Sequence, residues 1–280
     1  MRFGDVHQRY WDWRAACNFM FGGTGGSLMF LTAAASYPES PPGLLGLVSL
    51  IIVGAGLALV WLEIGRPGRF LNVFLNFRTS WMTREAVAAA ILFALAAAGV
   101  QWRLPAFIGL AGLAGLAFLY CQAMILRASK GVPAWRLPAI LPLVMSTGLS
   151  EGAGLLLLLF ALTPAVPAWL SAVLLALTVL RAWAWWSYKA GLAGANAVRS
   201  GPQVLAGVHA TMLIFGVALP LILLVSALGA PGAALHLNSI AAALVVLSGW
   251  YVKFAIVTRA ARLQGYALAR PRGPAAARPA

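Results

Sequence analysis

Long apolar runs separated by short polar connectors dominate the hydropathy pattern of the chain. Each run approaches the ~20 residues that an α-helix needs to cross a hydrocarbon core of about 30 Å. The pattern therefore predicts an all-α integral membrane protein in which eight transmembrane helices form a bundle. The predicted helices cover residues 14–35, 43–63, 84–100, 104–126, 137–162, 166–188, 204–228 and 234–257.

The segments that flank these runs complete a division of the chain into three regions. We expect an N-terminal interfacial segment at 1–13, a membrane domain at 14–257 and a basic, proline-rich tail at 258–280. A tail of this composition is typical of a disordered segment or of a strap on a partner. We expect no cleaved signal peptide, because the first apolar run is too long and too glycine-rich for one.

Composition supports the membrane assignment. Hydrophobic residues make up 62% of the chain and charged residues 9%, whereas soluble proteins average roughly 45–50% apolar and 25% charged residues. The net charge of +14 does not indicate nucleic-acid binding, because the basic residues lie between the apolar runs. Cys17 and Cys121 lie inside apolar runs without a CxxC spacing, so no disulfide framework or thiolate metal site is predicted.

The basic residues are distributed unequally between the two sides of the predicted bundle. The first, third, fifth and seventh connectors hold only Glu39 and Arg103, and the other connectors and both termini hold the remaining basic residues, if Arg181 and Lys253 are counted with the nearer side. Basic residues favour the cytoplasmic side of a membrane. Both termini are therefore predicted to be cytoplasmic, in the cell (inner) membrane of a bacterium or archaeon.

A charged belt at residues 61–85 separates the second apolar run from the third. It gathers four arginines, Arg66, Arg69, Arg78 and Arg84, and two of the six acids in the chain, Glu63 and Glu85. A loop that only fixes topology would explain the arginines. It would not explain the acids, which beside basic residues at a helix end can hold a proton or a hydrogen-bonded ligand head.

Several polar residues inside the apolar runs share one depth with these acids. Counted at about 1.5 Å per residue, they fall in the cytoplasmic third of the bilayer. A lipid-soluble quinone needs such a layer, with donors for its ring oxygens, an acid for protons and apolar walls for its tail. Each residue also has a structural explanation, such as an interhelical hydrogen bond or an aromatic belt. The layer comprises Asn18, Glu63, Glu85, Tyr120, Gln122, Arg181 and His209.

Other kinds of site are disfavoured. His209 lies near the cytoplasmic end of the seventh run and His236 at the opposite surface, so paired axial ligands for a membrane haem are not expected. The sequence contains no HExxH, GxSxG or P-loop motif, and no metal site is predicted. Glu151 stands apart near mid-membrane, where we expect it to be protonated, paired with a base or part of a proton path.

Three stretches carry a resemblance to a known family: WDWRAACNFMFGGTGGSL, LEIGRPGRFLNVFLNFRTSWMTRE and PAWRLPAILPLVMSTGLSEGAGLLL. They resemble the membrane-anchor subunits of polysulfide reductase and dimethyl sulfoxide reductase, the NrfD/DmsC type. The WxW and GGxG elements are most similar to the branch assigned to phenylacetyl-CoA:acceptor oxidoreductase. The resemblance implies eight spans, no haem, and electron transfer between menaquinone or ubiquinone and a ferredoxin-like four-cluster iron–sulfur subunit. A molybdenum or tungsten bis-pterin subunit would perform the substrate chemistry.

The resemblance also assigns roles to individual residues. Glu85 matches the acid that ends the SWxxRE motif, and Asn18 and Tyr120 correspond to quinone-pocket positions. Glu63 stands where the dimethyl sulfoxide reductase type usually has a histidine, which makes the proton acceptor a point of departure from the family. The arginines of the belt would dock the iron–sulfur subunit.

The sequence thus predicts a quinone-binding anchor that does not itself act on substrate. Its quinone site would comprise Asn18, Glu63, Glu85, Tyr120 and His209, with Glu85 and Glu151 on the proton path. The alternative is a transporter or ion-translocating subunit that uses Glu151. No internal repeat and no charge pair at mid-membrane is evident in the sequence, and both would be expected of that class.

Reporter fusions test the predicted orientation. An enzyme that is active only in the periplasm should be inactive when fused after Ala280 and active when inserted within residues 38–42, because the basic connectors keep both termini in the cytoplasm. Activity of the fusion at Ala280 would reverse the orientation.

Overall fold

The computed structural model describes residues 5–8, 11–36, 43–63, 67–162, 167–194 and 205–264. Arg66 and residues 265–280 of the tail predicted at 258–280 lie outside the described residues. The described part consists of helices, apart from one short pair of strands.

Eight helical runs occur among the described residues, and we number them α1 to α8. The first, α1, joins Trp13–Cys17, a π-helical turn at Asn18–Gly22, and Gly23–Ser36. The next five are α2 (Gly43–Glu63), α3 (Trp81–Trp102), α4 (Pro105–Ala128), α5 (Ile140–Phe160) and α6 (Ala168–Gly194). Then α7 joins Ala206–Leu213, Ile214–Ala218 and Leu219–Gly229, and α8 joins Ala234–Phe254 and Ala255–Arg259. Short 3₁₀ helices at Pro67–Asn76 and Pro231–Ala233 precede α3 and α8.

Seven of these runs, α2 to α8, are long and apolar enough to cross a membrane. The chain is therefore a multi-pass membrane protein. The remaining run, α1, is about 36 Å long at about 1.5 Å per residue, but its glycine, serine and threonine residues make it less apolar than the others. The predicted count of eight spans consequently depends on α1.

The start of α3 differs from the prediction. The helix begins at Trp81 because Ser80 caps it: the Ser80 side chain accepts a hydrogen bond from the Thr83 backbone N–H. Glu85 accordingly lies inside the second turn of α3 and is buried, although the sequence placed it at the helix end.

Burial separates inner helices from outer ones. In α4, α5 and α8, 61–67% of the spanning residues are buried, compared with 28–33% in α2, α3, α6 and α7. Most of α1 is buried as well, because it packs against α2, α4 and α5. The centre of the bundle is therefore made by α1, α4, α5 and α8.

Glycines allow α1 to approach its neighbours at backbone distance. A Cβ atom built on Gly26 would lie 2.7 Å from the carbonyl oxygen of Gly115 in α4. A Cβ atom built on Gly152 in α5 would lie 2.5 Å from the Cβ of Ser27. Small residues at helix interfaces permit this contact in membranes, where packing and not hydrophobicity drives association.

The two ends of the described chain meet. Asp5–His7 pairs antiparallel with Arg262–Gln264, and the next backbone N–H, that of Gln8, donates to the carbonyl of Ala261. Nearby, the Trp135 indole N–H donates to the carbonyl of Ile256 at 2.8 Å. The N-terminal segment, the α4–α5 connector and the end of α8 therefore share one end of the bundle.

Two substitutions in α4 test the glycine contact. Gly115→Ala should lower the thermal midpoint of the purified protein, since the added methyl meets the backbone of Gly26 and overpacking costs about 1–3 kcal/mol. Gly109→Ala is the matched control, because a Cβ there meets nothing within 4 Å. Equal thermal midpoints for both variants would contradict the close contact.

Candidate functional site

Two adjoining cavities lie between α1, α2 and α3. The larger has a volume of about 530 Å³ and the smaller about 170 Å³. Both are lined by Asn18, Val60, Met82 and Glu85, so these residues stand at the junction.

The larger cavity has apolar walls and a polar inner end. Side chains of α2, of the 3₁₀ helix and of α3 form the walls, while Asn18 and Glu85 supply the amide and carboxyl groups. Several wall residues, among them Trp61, Phe74 and Ala90, are exposed on the outer surface of the bundle. The cavity is therefore accessible from the side that faces lipid. Its apolar lining consists of Leu57, Ala58, Val60, Trp61, Val73, Phe74, Met82, Ala86, Ala89, Ala90 and Phe93.

A buried hydrogen bond joins the two polar residues at the junction. The Asn18 side-chain Nδ2 donates to Glu85 Oε1 at 3.1 Å, and the two residues are only 4% and 6% exposed. The Gln122 side-chain Nε2 donates to the backbone carbonyl of Asn18 at 2.9 Å. Asn18 opens the π-helical turn of α1, a feature that often marks functional sites.

Glycines around this group make room for its polar side chains. A Cβ atom on Gly56 of α2 would lie 3.2 Å from Asn18 Oδ1, and one on Gly22 would lie 2.6 Å from Gln122 Nε2. The glycine-rich pattern of α1 therefore does more than bring backbones together. Gly22 leaves space beside α1 for the Gln122 amide, and Gly56 of α2 leaves space for the Asn18 side chain.

The smaller cavity extends from Glu85 toward the end of α2. Glu63 and Trp11 line it together with Asn18 and Glu85. Glu63 is half-buried at the last residue of α2. The two acids of the charged belt thus face one common space, with Glu85 inside the bundle and Glu63 near its end.

Tyr120 and His209 lie apart from this group and line neither cavity. Tyr120 is 40% exposed and meets the edge of Trp81, with ring centroids 5.8 Å apart. His209 accepts a hydrogen bond at Nδ1 from the Trp185 indole at 3.0 Å. Their assignment to a quinone site stays a prediction that the geometry of the cavities does not support.

Gln122 is the residue that the predicted site omitted. It lies two positions after Tyr120, which is about 200° around an α-helix, so only one of the two can face the centre. The buried face of α4 includes Ala111, Gly115 and Phe118. The helical period of this small-residue face could have selected Gln122 in place of Tyr120.

The charged belt is held by local contacts. The Arg84 guanidinium lies 4.1 Å from the centre of the Trp81 ring and donates to the carbonyls of Phe77 and Arg78 at 3.0 and 2.7 Å. Arg78 is exposed. The side chain of Arg69, like the whole of Arg66, lies outside the described part, and docking by these arginines stays a prediction.

Asp12 and Arg14 add a second charged group at the same end of the bundle. Their side chains form a salt bridge of 2.8 Å, and Arg14 also donates to the backbone carbonyl of Leu62 at 3.1 Å. The Arg14 guanidinium, by hydrogen bonding to Asp12, holds the pKa of that carboxyl below its usual value. The pair fastens the start of α1 to the end of α2, beside Glu63.

Glu151 has a buried basic partner. Its Oε2 accepts hydrogen bonds from Lys253 Nζ at 2.6 Å and from the Thr24 hydroxyl at 2.7 Å. Both charged residues are fully buried, at 0% and 2% exposure of their side chains. The contact agrees with one of the states expected for Glu151, pairing with a base, whereas the expectation of no charge pair at mid-membrane was wrong. The pair was not evident in the sequence because Lys253 was counted with the basic residues of the cytoplasmic side.

Arg181 is a second buried cation near this pair. It donates to the carbonyl of Val245 and to the hydroxyl of Ser248, both at 2.9 Å, and its charge interacts with that of Glu151. Arg181 does not extend toward the surface as a snorkelling side chain would. It lies at the centre of the bundle, between α6 and α8.

The energetic coupling between Glu151 and Lys253 can be tested by the thermal stability of single and double variants. Lys253→Met should lower the thermal midpoint of the purified protein strongly, because removal of one partner from a buried pair costs about 3–5 kcal/mol. The double variant Glu151→Gln, Lys253→Met should be less destabilised than Lys253→Met, since neutral side chains of similar size replace both charges of the pair, although Arg181 loses its interaction with Glu151. Equal destabilisation of the single and double variants would contradict a coupled pair.

Part of the chain is similar to a subunit of an oxidoreductase complex. No protein-family profile matches the chain. The chain is 31% identical to the C subunit of sulfite dehydrogenase from Allochromatium vinosum, over 38% of this chain and 38% of that protein. The aligned part is therefore well under half of either protein. Together with the membrane helices, this similarity supports a coarse description of the chain as a membrane component of an oxidoreductase complex.

Proposed function

We propose that the chain is a quinone-binding membrane anchor. It would pass electrons between the quinone pool and the iron–sulfur subunit of a molybdenum or tungsten oxidoreductase. The observation that carries this proposal is the larger cavity, which combines an apolar, lipid-facing opening with a buried Asn18–Glu85 pair at its inner end.

The cavity suits a quinone in size and in chemistry. Its volume of about 530 Å³ lies within the roughly 300–1,000 Å³ that is usual for small-ligand sites. Apolar walls favour an isoprenoid tail, and an opening toward lipid lets the ligand enter from the membrane. The carboxyl and amide groups at the inner end match a ring that carries two oxygens.

Glu85 is the residue best placed to exchange a proton. Interconversion of quinone and quinol moves two electrons and two protons, so the site needs an acid or base beside the ring oxygens. Asn18 donates to the Glu85 carboxyl and fixes its orientation. Glu63 faces Glu85 across the smaller cavity and lies nearer the end of the bundle, which gives protons a route to the surface.

The proposed partners follow from the need for an electron source or sink. Within the described residues there is no group of His, Cys, Asp and Glu side chains that could hold a metal ion, so we assign the clusters and the bis-pterin metal to partner subunits. The similar protein is named as one subunit of a sulfite dehydrogenase, which supports assembly into a complex of several subunits. We assign the docking face to the end with the Asp12–Arg14 pair and the 3₁₀ helix, because it is the end nearest Glu63.

We further propose eight crossings with both termini in the cytoplasm. Pairing of Asp5–His7 with Arg262–Gln264 supports an even number of crossings, since it brings both ends of the described chain together. The distribution of basic residues supports a cytoplasmic location for that end. Partner subunits on this side would act on a substrate of the cytoplasm, such as a sulfur compound or a coenzyme A thioester.

The buried Glu151–Lys253 pair favours a second candidate, an ion-translocating subunit. Against it, neither cavity reaches Glu151. An ion path would need such access from one side of the membrane. We therefore place this candidate second.

Variants of Glu85 and of the cavity wall test the quinone site. Glu85→Gln should reduce quinone-linked turnover by about 100-fold or more, which is typical for loss of a general acid or base. Ala90→Trp should also reduce it, because the indole would fill the apolar cavity. Activity of the whole complex with an artificial soluble electron acceptor should persist in both variants.

Ile91→Trp is the control for Ala90→Trp, because it adds the same large side chain to α3 outside the cavity. Ile91 is 47% exposed and does not line the cavity, so this variant should keep quinone-linked turnover. Loss of both activities in the Glu85 variant would indicate misassembly. Unchanged quinone-linked turnover in both Glu85→Gln and Ala90→Trp would refute the proposed site.

A further inference from the structure

The Lys253 ammonium lies between the buried ion pair and the polar end of the cavity. A Cβ atom built on Gly23 of α1 would lie 2.5 Å from Lys253 Nζ and 3.2 Å from Gln122 Oε1. Both atoms therefore lie close to one point beside the helix. Because Gly23 has no side chain, the ammonium and the amide oxygen can approach each other there.

Hydrogen bonds extend from this point to Glu85. The Gln122 amide donates to the carbonyl of Asn18, and the Asn18 side chain donates to Glu85. On the other side, Lys253 donates to Glu151. The sequence of groups Glu151, Lys253, Gln122, Asn18 and Glu85 thus crosses the centre of the bundle from α5 to α3.

The Gln122 oxygen has a buried position that requires a positive or donating neighbour. It has no hydrogen-bond partner among the described residues, and leaving a buried acceptor unpaired is costly. An ammonium group has three N–H donors, and Glu151 takes one of them from Lys253. The Lys253 ammonium shares the space beside Gly23 with this oxygen and has N–H donors left to interact with it through a bridging water.

We propose that Lys253 is a positioning residue for the cavity, whose buried positive charge favours the carboxylate form of Glu85. The inference rests on the proposed function for its catalytic consequence, since Glu85 would exchange protons with the quinone. Charges act over longer distances in the low-dielectric interior than in water. Lys253 can therefore influence Glu85 without touching the ligand.

Other charged or titratable groups lie near each end of this path. Around Glu85 these are Glu63 across the smaller cavity, Arg84 on the same helix and Cys121 on α4. Around Lys253 they are Glu151 and Arg181, so that the buried cluster of three charges has a net charge of +1. Lys253 is the member of this cluster that adjoins Gln122.

Two double variants separate the effect of Lys253 from that of net charge. Glu151→Gln with Lys253→Met removes the pair and leaves Arg181 as the buried cation. Glu151→Gln with Arg181→Met removes the same acid and leaves Lys253. Both variants keep the cluster at +1, and they differ in which cation remains.

The measurement is the pH dependence of quinone-linked kcat/KM in the intact complex. A single cation at roughly 10 Å in a medium of effective dielectric constant about 20 shifts an ionisation by about one pH unit. The limb of the profile that depends on Glu85 should move to higher pH by less than this when Lys253 is lost, because the adjacent Glu151 charge is removed with it and the two effects partly cancel. It should not move to higher pH when Arg181 is lost.

Infrared spectroscopy provides a readout that does not need turnover. The carboxylic C=O band that is absent in Glu85→Gln reports protonation of Glu85, and its pH midpoint should move with Lys253 in the same direction. An unchanged midpoint after loss of Lys253, or an equal rise in both double variants, would overturn the inference. Absence of quinone turnover in the wild type, with the infrared shift present, would refute the proposed function and not the coupling.

Gly23→Ala tests the same inference without removing a charge. It can therefore be used if a double variant fails to assemble. The added methyl occupies the space between Lys253 Nζ and Gln122 Oε1. It should displace the flexible end of the lysine and raise the midpoint by a smaller amount. An unchanged midpoint in this variant would contradict transmission through Gln122.

Discussion

Backbone-to-backbone packing of α1 is the constraint on which the other features depend. Helices in lipid gain little from the hydrophobic effect, so close van der Waals contact holds them together. Gly26 meets α4 and Ser27 meets α5 at distances that no larger pair would allow. Because α1 is thereby enclosed, its polar residues Asn18 and Thr24 face protein and not lipid. The Asn18–Glu85 pair and the Glu151–Lys253 pair both include or contact a polar residue of α1.

Buried charges in such a bundle do not offset their desolvation by themselves. A buried ion pair is often no more stable than a well-packed apolar pair of the same size, and an intramembrane acid is usually functional. Thr24 donates to Glu151, and Gly249 leaves the space that the carboxylate occupies, so two helices are shaped around this one acid. The structure thus maintains a polar centre that a purely structural anchor would not need.

The sequence predicted how deep polar residues lie in the membrane, but it did not predict which face of its helix each residue occupies. Helix limits such as Gly43–Glu63 and the common depth of Asn18 and Glu85 follow from counting residues along apolar runs. Which face each residue occupies depends on packing between distant helices. That is why Tyr120, at the correct depth, faces Trp81, while Gln122 faces Asn18. Lys253 was misread for a related reason: an isolated lysine near a helix end looks like a topology signal until the partner on another helix is known.

Three different surroundings adjoin the Glu85 carboxyl group: the larger cavity, the smaller cavity and a chain of buried amide groups. The larger cavity leads from Glu85 to the lipid-facing surface, which suits an apolar molecule. The smaller leads from Glu85 to Glu63 and the charged end of the bundle, which suits protons. The amide groups of Gln122 and Asn18 lie between Glu85 and Lys253, and we propose that the lysine charge acts on Glu85 across them. A carboxyl group that adjoins both cavities and ends the chain of amide groups is well placed for the proton exchange that we propose for Glu85.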